Sequence, residues 1–239
     1  PAAKLCMVRA CSYFIQSKSD MKASLADQLM GRPDARLIID EVDRMLQAEQ
    51  RLRRHFYETV SEEEKAEFIN GEIIIHSPVK KKHDEVSGHL YSLLKTFVIK
   101  HQLGYVGHEK VMVSLSRNDY EPDICYFGPE KARHFDDAQT IFPAPDLVIE
   151  ILSPGTRDRD YGIKLKDYEA HLIPEYWIVD TENRTLELRL LDNDRYRLQQ
   201  TFRIEDHLQS ATLAGFDLPM RAIFEENAYL EALGRILNP

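Results

Sequence analysis

The stretch Leu147-Val148-Ile149-Glu150-Ile151-Leu152 decides how this 239-residue chain is read, because it is a strand with a carboxylate in a costly place. Pro145 precedes it and Ser153-Pro154-Gly155 follows it, so a run of branched apolar residues is bounded on both sides by turn formers. Side chains alternate along a strand. Leu147, Ile149 and Ile151 therefore share one face, and Glu150 sits between Val148 and Leu152 on the other. Both faces are apolar, so both are expected to be buried. Burying an unpaired carboxylate costs several kcal/mol or forces it to take a proton, so Glu150 is expected to meet a cation, a hydrogen-bond donor or a metal. A satisfied structural glutamate would meet the same demand.

Downstream, residues 156–172 have helical spacing, with Tyr161, Leu165, Tyr168 and Leu172 forming one stripe. Asp160 and Lys164 stand four apart and neighbour each other on one face. Gly162 inside this helix costs about 1 kcal/mol relative to alanine, which points to a weakened first turn or to close packing there. Glu175-Tyr176-Trp177-Ile178-Val179-Asp180 then reads as a second strand, and strand, helix, strand in sequence favours a parallel pair joined by a crossover.

Upstream, Phe68-Ile69-Asn70-Gly71-Glu72-Ile73-Ile74-Ile75-His76 places Asn-Gly between two apolar runs, a hairpin signal. The run Lys80-Lys81-Lys82 leads into a helix over about 83–101, with Val86, Leu90, Leu93, Leu94, Phe97 and Val98 as its packing stripe. Three lysines at a helix N-terminus suit a phosphate, although a solvated turn is the commoner use of such a run. The segment 105–115 is expected to be one bent strand, Asn118-Asp119 a turn, and 121–127 a short strand. Residues 130–145 form a loop or short helix. Residues 185–191 and 196–202 form a second hairpin, and 220–237 a terminal helix. Before the first hairpin, residues 35–57 suggest one or two amphipathic helices, and residues 1–20 are expected to be dispensable, with Met21 as a start.

Composition bounds the function. Hydrophobic residues are 43% and charged residues 30%, and no apolar run approaches the ~20 residues a membrane span needs. Cys6, Cys11 and Cys125 have no metal-ligand spacing and no even pairing, so a reducing compartment, the cytoplasm, is the expectation. A net charge of −9 disfavours nonspecific binding of nucleic acid over the whole surface, but allows a local basic groove or a metal within a carboxylate cluster. Asp123 at a strand start, Glu150 and Lys164 together suit phosphodiester cleavage: the two carboxylates would hold a hard cation and the lysine would stabilise charge or orient water. As a bare pattern it also suits a buried structural Glu–Lys pair.

The residues Phe68-Ile69-Asn70-Gly71-Glu72, Ser77-Pro78, His83, Glu121-Pro122-Asp123, 144–150, Leu152-Ser153-Pro154, Arg159-Asp160, Lys164, Tyr168 and 175–180 resemble the Uma-two family of restriction-endonuclease-like proteins, within the PD-(D/E)XK nuclease superfamily. The resemblance covers about residues 55–203. It implies an α/β fold, a restriction-endonuclease-like core with helices flanking a central mixed β-sheet. With no internal repeat and no low-complexity linker, the chain reads as one compact domain with helical appendages: an extension (1–54), a nuclease-like domain (55–218) and a C-terminal helix (219–239). Carried over, the resemblance makes Pro122-Asp123 the PD motif and Glu150 the second acid. Leu152 stands where the superfamily has its lysine, and Lys164 on the following helix replaces it. Asp123 and Glu150 become the metal ligands for Mg²⁺, with Mn²⁺ as substitute. Asp123, Glu150 and Lys164 become the catalytic set, and His83 and Asp160 accessory residues. Lys80, Lys81 and Lys82 are candidates for phosphate. Asp146 shares the strand face of Glu150 but stands ~13 Å away, four residues of about 3.3 Å each, too far to share a metal. DNA is the implied substrate, the homodimer the implied assembly, and no membrane is involved. The competing expectation is a nuclease fold kept as a nucleic-acid or protein interaction module.

Overall fold

The computed structural model describes residues 24–61 and 63–238, so the expectation about residues 1–20 lies outside the described residues. The chain divides between Arg51 and Leu52 into two compact units. In the first, helix α1 (Leu25–Met30) opens on a reciprocal cap: Ser24 Oγ accepts from the Asp27 amide at 3.1 Å, and Asp27 Oδ2 accepts from the Ser24 amide at 3.0 Å. Helix α2 (Ala35–Thr59) is a single helix that runs across the division, with Leu37, Val42, Met45 and Leu46 exposed.

The second unit begins on the last turns of α2, where Phe56 is buried with Phe68 and Met112. Strands β1 (Ala66–Ile69) and β2 (Glu72–Ile75) form the expected hairpin. Its turn residues Asn70 and Gly71 have φ of 52° and 87°, the left-handed pair that a two-residue turn requires. Helix α3 (Lys81–His101) follows. The expected bent strand is two strands, β3 (Tyr105–His108) and β4 (Met112–Ser114), because the chain turns at Glu109, where φ is 59°. Asp119, expected in a turn, lies in β5 (Asp119–Tyr120), where Arg53 grips both its carboxylate oxygens at 2.6 Å. Pro122 has no amide hydrogen for a ladder, so β6 starts after it (Ile124–Phe127).

After the short helix α4 (Pro129–Ala132) and strand β7 (Ile141–Phe142) comes β8 (Leu147–Ile151), buried along its whole length. The crossover is α5 (Arg157–Arg159), a widened π-turn (Asp160–Lys164) and α6 (Leu165–Ala170), and it returns to β9 (Glu175–Asp180) parallel to β8. A Cβ on Gly162 would meet nothing within 4 Å, so close packing is not what places glycine there; it lies inside the π-turn. Strands β10 (Thr185–Asp192) and β11 (Arg195–Phe202) make the second hairpin, and β12 (His207–Gln209) pairs with β13 (Asp217–Pro219). The expected terminal helix is broken at Glu225, extended at φ −131° and ψ 122°, into α7 (Arg221–Phe224) and α8 (Glu226–Leu237).

The main sheet has the order β11-β10-β9-β8-β6-β3 and is antiparallel except for β8 and β9; the smaller sheet runs β2-β1-β5-β4-β7. One face of the main sheet, with Ile124, Leu147, Ile149, Ile151, Trp177 and Val179, packs with the apolar stripe of α3 and with residues of α7 and α8. The other face, with Cys125, Phe127, Val148, Tyr176 and Ile178, packs with Tyr120 and Val113 of the smaller sheet and Tyr168 of the crossover. The alternation read from 147–152 is therefore the division between two cores. Glu121-Pro122-Asp123 carries the chain from the small sheet to the large one, which puts Asp123 at the seam.

Candidate active site

In the register of β6 against β8, Ile124 faces Ile149 and Cys125 faces Val148, so one further step sets Asp123 opposite Glu150 on the same face. The Ile151 amide donates to Asp123 Oδ2 at 2.7 Å and fixes that carboxylate against the strand. His83, on the first turn of α3, places Nε2 3.0 Å from the Ile151 carbonyl and 3.4 Å from Asp123 Oδ2. Glu150 Oε1 accepts from Lys164 Nζ and from the Tyr168 hydroxyl, both at 2.9 Å. Lys164 is 2.8 Å from Glu67 Oε1 and 3.6 Å from Asp160 Oδ1. The π-turn widens the helix where Asp160 and Lys164 project, and widened turns of this kind recur at functional sites.

The structure thus brings Asp123, Glu150, Lys164, His83 and Asp160 together. Lys80, Lys81 and Lys82 are at the start of α3, where Lys81 pairs with Glu85 and Lys82 with Glu182. Asp146, set aside on distance, is held elsewhere: its carboxylate takes the Gly128 amide at 2.7 Å and Lys131 at 2.6 Å.

Three residues missed in the sequence complete the cluster. Glu67, from β1, is fully buried and accepts from Lys164, and His76 Nε2 stands 3.0 Å from its other oxygen. Lys65, just before β1, lies 2.6 Å from Asp123 Oδ1 and 3.1 Å from Glu109 Oε2. Glu67 left a signal like that of Glu150, a carboxylate between apolar Ala66 and Phe68, but reading the hairpin from Phe68 hid it. Lys65 and Glu109 left none.

Electrostatics follow from burial and pairing. Burial pushes the Glu150 carboxyl well above the usual range, against the pull of Lys164, and neighbouring Asp160, Asp123 and Glu67 add repulsion. Asp123 goes the other way: burial opposes ionisation, but Lys65 and His83 outweigh it and hold the group well below its ordinary value. Burial would discharge Lys164, yet Glu150, Glu67 and Asp160 around it outweigh that and raise its pKa well above the ordinary lysine value.

Among the described residues no group of three or more His, Cys, Asp and Glu side chains is placed to hold a metal ion. Mg²⁺ does not require one, since it keeps several waters and is bound through one or two carboxylates. The adjacent carboxylates of Asp123 and Glu150 are hard oxygen donors of that kind. Among the described residues no hydrogen bond reaches Glu150 Oε2, and both Asp160 oxygens are buried without one. The cluster also holds more carboxylates, Glu67, Glu109, Asp123, Glu150 and Asp160, than lysines, Lys65 and Lys164. These features fit a hard divalent cation.

The sequence profile of the Uma2 family, described as "Putative restriction endonuclease", matches residues 33–221. The chain belongs to the Uma2 family. The match is wider than the resemblance over 55–203 and contains every residue of the cluster. A crystal structure from Anabaena variabilis ATCC 29413, described as "a putative nuclease belonging to DUF820", superposes on this Uma2 chain with a TM-score of 0.60 at 21% identity, covering 73% of this chain and 96% of the other. That likeness establishes the restriction-endonuclease-like fold. No curated protein matches the chain. Among the described residues of this Uma2 protein, no helix is long and apolar enough to cross a membrane.

Proposed function

We propose that this Uma2 chain is a Mg²⁺-dependent endonuclease that hydrolyses phosphodiester bonds of DNA. The observation that carries this reading is the placement of Asp123 and Glu150 side by side across β6 and β8, with Lys164 fixed on Glu150. Asp123 and Glu150 would hold the cation, which when bound supplies a polarised phosphate oxygen and an acidified water. The chain's own residues do the positioning. The Ile151 amide aims Asp123, and Lys164 with Tyr168 holds Oε1 of Glu150 so that Oε2 is left for the cation. Lys164 is a positioning residue: its side chain is 1% exposed and enclosed by carboxylates, so it acts through Glu150. His83 ties the Ile151 carbonyl to the Asp123 side.

Lys80, Lys81 and Lys82 are proposed contacts to the DNA backbone, for which Lys81 and Lys82 must leave Glu85 and Glu182. A homodimer is the proposed assembly, favoured by the exposed apolar residues of α2, and a monomer mass by light scattering at micromolar concentration overturns it. A reducing compartment such as the cytoplasm is favoured by Cys125, a buried free thiol.

The test is calorimetric Mn²⁺ binding to wild type, Asp123→Ala and Glu150→Gln, followed by nicking of supercoiled plasmid with Mg²⁺. The reading expects binding and nicking in wild type and neither in the two variants. The interaction-module alternative is favoured by one observation, a lysine ammonium lying on Asp123. It gains if the wild type retains a labelled duplex without Mn²⁺ binding and Asp123→Ala retains it equally.

A further inference from the structure

Lys65 is a cation of the cluster that the proposed reaction does not use. One oxygen of Asp123, Oδ2, is fixed by the Ile151 amide, which leaves Oδ1 as the oxygen free to meet a cation. Lys65 Nζ stands on that oxygen at 2.6 Å. We propose that Lys65 is a built-in counter-ion of Asp123 that competes with the divalent cation and must swing off Oδ1 before the cation binds. The inference rests on the metal-dependent reading above and adds to it a residue that sets the cation affinity.

Three observations support exchange at this position and not at Lys164. The side chain of Lys65 is 16% exposed whereas that of Lys164 is 1% exposed, so Lys65 alone of the two faces an exit. Glu109 Oε2 is already 3.1 Å from Nζ, and its side chain is 34% exposed, so it offers the ammonium a second anchor toward solvent. The Lys65 backbone is held just before β1, its carbonyl accepting from the His76 amide at 2.9 Å, but its ammonium ends a flexible four-carbon stem that can swing without disturbing the strand. Lys164, by contrast, lies among Glu67, Glu150 and Asp160, and its departure would strip the lysine from three buried carboxylates at once. A cation arriving at Oδ1 replaces one ionic partner of Asp123 by another, so affinity for the cation is reduced by whatever the Lys65 pair contributes.

Calorimetric titration with Mn²⁺ alone tests this on the full chain, with a thermal melt of each variant to establish folding. Lys65→Met is expected to bind Mn²⁺ about tenfold more tightly than wild type, and Lys65→Arg within about threefold of wild type, since the charge remains. Lys110→Met controls for net charge. Its Nζ lies 3.3 Å from the Ser61 carbonyl, and its loss is expected to change affinity by less than about threefold. Unchanged or weaker binding by Lys65→Met overturns the proposal. So does an equal gain in Lys110→Met, and so does absence of binding in every variant. Asp123→Ala in the Lys65→Met background separates this inference from the reading it rests on: retained tight binding removes both, because the cation then sits elsewhere. Tighter binding by Lys65→Met without plasmid nicking by any variant removes only the nuclease reading.

Discussion

At the scale of single residues, the buried ions make opposite predictions for substitutions on the two sides of one contact. Lys164 is the only cation within ion-pair distance of Glu150 among the described residues, and it also neutralises Glu67. Lys164→Met leaves two buried carboxylates facing each other, and breaking a buried pair in this way costs about 3–5 kcal/mol. Urea denaturation at neutral pH should show a loss of that size. Glu150→Gln is isosteric with the neutral carboxyl that burial and the neighbouring acids favour at Glu150, and it keeps an oxygen to accept from Lys164 and Tyr168, while Glu67 continues to balance the lysine. It is expected to change stability by less than about 1 kcal/mol, or to raise it, while abolishing Mn²⁺ binding. A severe loss of stability in Glu150→Gln would instead make the Glu150–Lys164 pair purely structural. Glu150 was legible in the sequence because a strand shows its faces every second residue. Lys65 was not, because a residue outside any periodic element carries no sign of where its side chain ends.

At the scale of elements, the site depends on strand β6 being held in register at both ends. Gly104 links α3 to β3 with φ of 114°, and a Cβ there would lie 2.1 Å from the Phe127 carbonyl oxygen at the end of β6. Gly104→Ala meets both a left-handed backbone and a backbone clash, and should cost about 2–4 kcal/mol, read as a lowered denaturation midpoint with unchanged slope. Because β3 pairs with β6, the same change is expected to weaken Mn²⁺ binding, while Gly162→Ala, with nothing within 4 Å of its Cβ, should not destabilise by clash. The elements were legible where periodicity ran on unbroken, as in α3, β8, β9 and both hairpins. They were misjudged where the chain changes sheet or breaks a helix. The span 105–115 keeps an apolar rhythm through Glu109 although its two halves belong to different sheets, and 220–237 keeps a helical rhythm through Glu225 although the backbone is extended there. Periodicity records which face is buried and not which partner buries it.

At the scale of the whole molecule, charge sets the condition for binding a polyanion. The chain carries a net charge of −9, and its candidate site is a buried cluster richer in carboxylates than in lysines. DNA phosphates approaching such a site meet repulsion unless a cation stands between, so retention of a labelled duplex is expected only with a divalent ion present. Ca²⁺ is the useful probe, as a hard oxygen-seeking ion. The cation should also stabilise the fold by mass action, because the two carboxylates are brought together only in the folded chain. At about 100 times its dissociation constant, an ion bound only by the native state contributes roughly 2.7 kcal/mol, which for a domain of this size raises the melting temperature by several degrees. The rise should appear with Mn²⁺, vanish with chelator and be absent in Asp123→Ala. A rise that persists in Asp123→Ala would place the cation away from the β6–β8 seam. Duplex retention that ignores divalent ions would move DNA contact from this site to the lysines at the start of α3.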